Sequence, residues 1–117
     1  MAHRGKGELE AAIMTVLWDA EKALTAREVQ ERFTTDVPAI TTLITVLDRM
    51  VLKGLVTKSA LGGRSYSFAA SRSRLDDVTI TMNEALSSVD DKAAVLMHFA
   101  GSLSKADRAL LRKAIDG

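Results

Sequence analysis

The chain has 117 residues, of which 47% are apolar and only 4% aromatic, so we expect one small domain, with or without an appendage, and an aliphatic core. The absence of cysteine excludes disulfides and thiolate chemistry, and the absence of a long apolar run or of a signal-peptide segment leads us to expect a cytoplasmic protein without membrane insertion. The net charge of +1 is unevenly distributed, because residues 1–74 carry 11 Lys and Arg against 8 Asp and Glu, whereas residues 75–117 carry 5 against 7.

Two amphipathic helices are predicted in the first third of the chain. The first runs from about Glu8 to Ala20, because its apolar residues recur at the spacing of one helix face. The second begins with a capping box, in which Thr25 is the N-cap and Glu28 is the N3 residue. We predict that it ends near Phe33.

A third helix is predicted over residues 39–53, with Gly54 ending it in the left-handed conformation. Its core face is predicted from an apolar series at helical spacing, namely Ile40, Leu43, Ile44, Leu47, Met50 and Val51. The opposite face carries Thr41, Thr42, Thr45, Asp48, Arg49 and Leu52.

Two short strands are predicted next, Leu55–Ser59 and Ser65–Ala69. Tyr66 and Phe68 alternate with serines in the second strand, which is typical of a half-buried strand. The pair Gly62-Gly63 marks the tip of a hairpin whose loop is predicted over residues 60–64.

The rest of the chain is predicted to be helical, and its last helix is predicted to begin with Ser104 as the N-cap and Asp107 as the N3 residue. Its apolar residues form stripes, and those predicted to serve dimerisation are Leu75, Val78, Met82, Leu86, Val95, Leu96, Phe99, Leu103, Leu110 and Leu111. Such a short segment rarely buries enough apolar surface to offset its own ordering entropy, so it must pack on the preceding domain or on a second copy. We therefore predict a domain over residues 1–70 and a helical dimerisation region over residues 71–117.

The predicted order of three helices and a hairpin is that of a winged helix-turn-helix, which makes the fold mainly α with a small β-hairpin. In this fold the third helix enters the major groove of double-stranded DNA. Three threonines on its exposed face, Thr41, Thr42 and Thr45, are poor helix formers at positions without a packing role. They are predicted to contact base edges. The alternative is a solvated face, or hydroxyls that bond to the carbonyl four residues back.

Basic residues occupy the elements that would line a duplex, and each alternatively serves as a solvated surface charge. The predicted contacts to the DNA backbone are Arg4, Lys6, Arg49, Lys53, Lys58 and Arg64.

An enzyme is not expected, and no cofactor is expected. The two histidines, His3 and His98, lie far apart in sequence without a cysteine or an acid-base cluster nearby. The acidic pairs Asp76-Asp77 and Asp90-Asp91 precede helical stripes and are interpreted as charges favoured at helix N-termini. The main competing hypothesis is a winged helix that binds a protein partner instead of DNA, and a ligand-responsive regulator is a further possibility within the DNA-binding class.

The sequence resembles the penicillinase-repressor family, the BlaI/MecI/CopY group of bacterial regulators. The matching segments are residues 9–18, Thr25–Phe33, the run Thr41-Thr42-Leu43-Ile44-Thr45-Val46-Leu47-Asp48-Arg49-Met50, Lys53-Gly54-Leu55-Val56 and Gly63-Arg64-Ser65-Tyr66. The resemblance is strong over residues 8–70 and weaker through the tail.

This resemblance implies a homodimeric repressor that binds a palindromic operator, with Thr41, Thr42 and Thr45 at the recognition positions and Arg64 on the wing. The tail matches the family's dimerisation helices. Sensor-linked members release DNA after cleavage at an Asn-Phe bond in the tail. The corresponding position here is His98-Phe99, so the resemblance does not establish release by this route. Whether the protein has a sensor or a protease as a partner is therefore left open. Copper-responsive members use cysteines, which this chain lacks.

Overall fold

The computed structural model describes residues 7–117, which form two compact units that divide after Asp76. The elements of the described chain are α1 Glu8–Ala20, β1 Leu24–Thr25, α2 Ala26–Glu31, α3 Ile40–Leu52, β2 Val56–Gly62, β3 Ser65–Ala70, α4 Arg74–Ser87, α5 Lys92–Ser102 and α6 Lys105–Asp116. This order confirms the predicted winged helix-turn-helix followed by helices. Within the described residues, no helix is both long enough and apolar enough to span a membrane.

The capping box predicted at the start of α2 is present. The hydroxyl of Thr25 accepts a hydrogen bond from the Glu28 N–H at 3.1 Å, and the Thr25 N–H donates to Glu28 Oε1 at 2.9 Å. The helix ends at Glu31, two residues before the predicted end. The N–H groups of Arg32 and Phe33 instead bond to carbonyls three residues back, which tightens the last turn.

The end of α3 follows the predicted glycine stop. Gly54 has a φ of +78°, a conformation that glycine adopts without a Cβ penalty. Its N–H donates to the Val51 carbonyl and that of Leu55 donates to the Met50 carbonyl, both at 3.0 Å. Together these two bonds form a Schellman motif, and the helix is one residue shorter at each end than predicted.

The core of the first unit is built from its three helices and its sheet. Its buried apolar side chains are Ile13, Met14, Leu17, Leu24, Val29, Leu43, Val46, Leu47, Met50, Val56 and Phe68. Burial of each larger aliphatic side chain stabilises the fold by about 1.5–3 kcal/mol. The turn between α2 and α3 is closed by the Gln30 side-chain amide, which donates to the Pro38 carbonyl at 3.0 Å.

The predicted core face of α3 is wrong at one position. Ile44 is 43% exposed, whereas Val46 is buried at 8%. Successive residues are rotated by about 100° around a helix axis, so Ile44 lies at the flank of the face that Leu43 and Leu47 centre. That flank borders the β-hairpin rather than the core, and Val46 fills the opposite edge.

The sheet has three antiparallel strands in the order β1-β3-β2, although only the hairpin was predicted. The additional strand β1 pairs Leu24 with Phe68 and Thr25 with Ser67. β1 has only two residues, and it is a strand only because it pairs with residues of β3 that lie 42 and 44 positions further along the chain.

The hairpin, called the wing below, has a longer first strand than predicted. β2 continues to Gly62, and a register irregularity between Ala60 and Gly62 leaves Leu61 as an extra residue. The turn itself is Gly63-Arg64, not the predicted loop over residues 60–64. Gly62 and Gly63 have φ values of +105° and +59°, which are left-handed conformations that favour glycine.

A tryptophan on α1 holds the segment that follows the wing. Trp18 Nε1 donates to the Arg72 carbonyl at 3.0 Å, and the Arg74 guanidinium lies 5.3 Å from the Trp18 ring centroid. Arg74 also pairs with Asp19 at 3.2 Å.

The second unit consists of capped helices. Asp91 accepts a hydrogen bond from the Ala94 N–H at 3.0 Å at the start of α5, and Ser104 accepts from the Asp107 N–H at 3.1 Å at the start of α6. The predicted cap at Ser104 is confirmed. No side chain of α4, α5 or α6 is buried within the single described chain.

Candidate nucleic-acid interface

The three predicted base-contacting threonines lie together on the solvent side of α3. Thr41, Thr42 and Thr45 are all exposed. Positions three and four apart share one helix face, so all three project away from Leu43 and Leu47, which are fully buried. The face carries hydroxyl and methyl groups, which suit hydrogen bonding to base edges and apolar contact with thymine methyl groups.

The hydroxyls of this face are not equivalent. Thr45 Oγ1 donates to the Thr41 carbonyl at 3.0 Å, so its proton is directed to the backbone. The hydroxyls of Thr41 and Thr42 form no hydrogen bond with any of residues 7–117. Thr45 therefore presents acceptor lone pairs and a methyl group, whereas the other two can also donate.

A groove of about 550 Å³ lies between α3 and the wing, and we call it the wing groove. Ile40, Ile44 and Asp48 line it from α3, and the start of α2 contributes Thr25, Ala26 and Arg27. The wing contributes Lys58, Arg64, Ser65, Tyr66 and Phe68. The groove thus combines apolar walls with three basic side chains and one carboxylate.

Lys58 is held in the wing groove by two kinds of contact. Its ammonium lies 2.9 Å from Asp48 Oδ1. The same nitrogen lies 4.2 Å from the ring centroid of Tyr66 and 5.7 Å from that of Phe68, within the range of cation–π attraction. The sequence predicts Lys58 on the first strand of the hairpin, but it does not predict the carboxylate partner.

The other predicted backbone contacts occupy different environments. Arg49 and Arg64 are exposed, and neither pairs with an acidic side chain in the described part of the chain. Lys53 is paired with Glu10 of α1 at 2.8 Å. Arg4 and Lys6 lie outside the described residues.

The pKa of Glu28, which bonds to Thr25 at the edge of the wing groove, is lowered. The hydrogen bonds from the Thr25 backbone N–H and then from its hydroxyl favour the ionised carboxylate, and together they outweigh the desolvation that raises the pKa. Over residues 7–117, no group of three or more histidine and acidic side chains is arranged to hold a metal ion.

Arg27 and Tyr66 were not predicted as interface residues, although both line the wing groove. The only available signal was their position in the helix-turn-helix and on the wing. In the sequence, Arg27 is an ordinary charge within a capping box, and Tyr66 is one of two aromatic residues that alternate with serines.

The predicted dimerisation residues lie on α4, α5, α6 and the short turn between the last two. Leu86 and Leu103 are half-buried, and the other eight are exposed. These are Leu75, Val78, Met82, Val95, Leu96, Phe99, Leu110 and Leu111. His98 is exposed on α5, next to Phe99.

Comparison with known proteins assigns the chain to a family. The family model described as penicillinase repressor matches residues 6–117. The transcriptional regulator BlaI of Mycobacterium tuberculosis, in strains CDC 1551 / Oshkosh and ATCC 25618 / H37Rv, is 32% identical over 114 residues, which cover 93% of this chain and 81% of BlaI. The solved complex structure of hsRosR-S1 is similar with a TM-score of 0.51 and 26% identity, over 88% of this chain and 92% of that one. The chain therefore belongs to the penicillinase repressor family and is a transcriptional regulator, not an enzyme.

Proposed function

We propose that this regulator is a repressor that binds a palindromic operator as a homodimer. In this proposal α3 enters the major groove, and Thr41, Thr42 and Thr45 contact base edges. The wing lies on the DNA backbone, with Arg64 at its tip. The observation that carries the proposal is an exposed threonine face on α3, beside a basic wing, in a member of the penicillinase repressor family.

Phosphate contacts are proposed first for Arg49 and Arg64. Both are exposed, and neither charge is neutralised by an acidic side chain among residues 7–117. An unpaired guanidinium can bind a phosphate without losing an existing partner. Lys53 and Lys58 are paired with carboxylates, so their contacts to DNA stay predictions and are expected to be weaker.

The homodimer is supported by the apolar surface of the second unit. Every buried apolar side chain of the described chain lies between Ile13 and Phe68. In contrast, the apolar side chains Leu110, Leu111 and Ile115 of α6 are all exposed. Soluble proteins rarely expose contiguous apolar surface of this kind unless it binds a partner. A second copy of the same helices would cover it and would set two recognition helices about 34 Å apart along DNA.

The proposal is tested by a mobility-shift titration of the purified protein on the DNA upstream of its own gene, in parallel with a random duplex of equal length. We expect a shift on the upstream DNA that weakens steeply between 50 and 200 mM salt, because phosphate binding releases counterions. No shift at micromolar protein would contradict the proposal, and so would an affinity that does not change with salt. The absence of a shift would favour the alternative, a winged helix that binds a protein partner.

A further inference from the structure

An acidic side chain of the recognition helix faces the surface that would receive DNA. Asp48 lines the wing groove together with Arg27, Lys58 and Arg64. It is about half exposed and lies two turns beyond the first residues of α3. A carboxylate at this position repels a phosphate, so its presence on a DNA-binding face needs a physical explanation.

Fold stability does not supply that explanation. The Asp48–Lys58 pair keeps 46% and 30% of its two side chains exposed, and exposed ion pairs contribute little to folding. Asp48 makes one other kind of contact, as part of the groove wall beside Ile44. An uncharged residue of similar size would fill that wall equally well.

The effect of the pair on the groove is electrostatic. Lys58 has three donors, but its charge is cancelled by a carboxylate 2.9 Å away, and its ammonium is held above the Tyr66 ring at 4.2 Å. A phosphate that approaches Lys58 therefore meets Asp48 at almost the same distance. Among residues 7–117, only Arg27 and Arg64 remain as positive charges of the groove without an acidic partner.

We propose that Asp48 limits the affinity of this regulator for DNA of arbitrary sequence by neutralising Lys58 in the wing groove. The inference rests on the proposed function. Phosphate contacts supply nearly all sequence-independent binding, whereas base contacts supply discrimination. Removing one phosphate contact per subunit lowers the first without changing the second. Asp48 thus lowers sequence-independent binding without touching a base.

The ion pair can be tested with a double-mutant cycle that changes the charge of each partner. Asp48→Asn frees one positive charge in each groove, and Lys58→Gln leaves one negative charge. The double variant Asp48→Asn/Lys58→Gln restores the balance of the natural pair. The matched control is Asp19→Asn, which removes another exposed carboxylate from an ion pair with Arg74 and changes the net charge equally, but lies outside the wing groove.

The experiment measures binding of each full-length variant to a fluorescent random-sequence duplex by anisotropy, from 50 to 200 mM salt, with the thermal midpoint as a check of folding. We expect Asp48→Asn to bind more tightly than the natural protein, with a slope of log K against log salt more negative by about 0.9 per subunit. Lys58→Gln should bind more weakly with a shallower slope. The double variant and Asp19→Asn should both match the natural protein.

The inference is overturned if Asp48→Asn and Asp19→Asn have the same salt slope, or if the double variant keeps the tighter binding of Asp48→Asn. If Lys58→Gln does not fold, the comparison of Asp48→Asn with Asp19→Asn still tests the role of Asp48.

Failure of the proposed function can be distinguished from failure of this inference. If the natural protein does not bind its upstream DNA at any salt concentration, both proposals are wrong, whereas normal operator binding with indistinguishable aspartate variants overturns only the role of Asp48.

Discussion

The direction of the Thr45 hydroxyl allows the hydroxyl and the methyl group of this threonine to be tested separately. Thr45→Val replaces the hydroxyl with a methyl group of similar size, and valine has nearly the same helix propensity as threonine. Since the Thr45 proton already points to the Thr41 carbonyl at 3.0 Å, the substitution removes the acceptor lone pairs of Oγ1 but no donor that could reach DNA. If the Thr45 methyl group makes the contact to a thymine methyl group, valine keeps that contact, and we expect Thr45→Val to keep operator affinity within about threefold.

The shorter side chain of Thr45→Ala has a different expected effect, because this substitution also removes the methyl group. Burial of one methyl group contributes about 0.8 kcal/mol, so Thr45→Ala should weaken a dimer by about 1.6 kcal/mol, or roughly fifteenfold. The Thr42 hydroxyl has no hydrogen-bond partner among residues 7–117, so it is available to a base. A hydrogen bond of about 1 kcal/mol per subunit makes Thr42→Val weaker by roughly thirtyfold.

The assay is anisotropy on the operator fragment at one salt concentration, with thermal midpoints to establish that every variant is folded. The matched control is Thr15→Val. Thr15 is exposed on α1 and donates in the same manner to the Ala11 carbonyl at 3.2 Å, but it lies away from the wing groove. Equal losses for Thr45→Val and Thr45→Ala would refute the reasoning, because the hydroxyl would then be the contacting group.

Three further predictions concern stability and assembly. Thr25→Ala removes the N-cap of α2 and should cost about 1 kcal/mol, seen as a fall of about 4–8 °C in Tm. Thr15→Ala is the control, and equal Tm values for both variants would contradict the role of the cap. The pKa of Glu28 is lowered in the folded state, so its stabilising effect is complete above the unfolded value of about 4.3 and is lost as pH falls through the folded pKa. Urea titrations at several pH values should show a weaker acid dependence for Glu28→Gln, and identical profiles would contradict this assignment. A chain ending at Asp76 keeps every buried core residue, so it should fold and sediment as a monomer with weaker operator binding, and a truncated dimer would disprove the assigned interface.

Local patterns in the sequence determined most of the elements. The helical spacing of apolar residues predicted α1 and α3 within one residue at each end, because an amphipathic stripe is visible in the chain itself. Thr25 and Ser104 were predicted as caps, since each accepts from an N–H only three residues ahead. The glycine stop at Gly54 is equally local. Membership of the penicillinase repressor family was likewise readable from the Thr41–Met50 run.

Tertiary structure decided what depends on residues far apart in the chain. β1 exists only because Leu24 meets Phe68, and Ile44 is exposed because the wing, not the core, borders its side of α3. The same packing brings Lys58 within 2.9 Å of Asp48. No helical or strand periodicity encodes which charges will meet across two elements. The sequence by itself therefore predicted the exposed threonine face of α3, whereas the fold determined which charges on the wing beside it have no acidic partner.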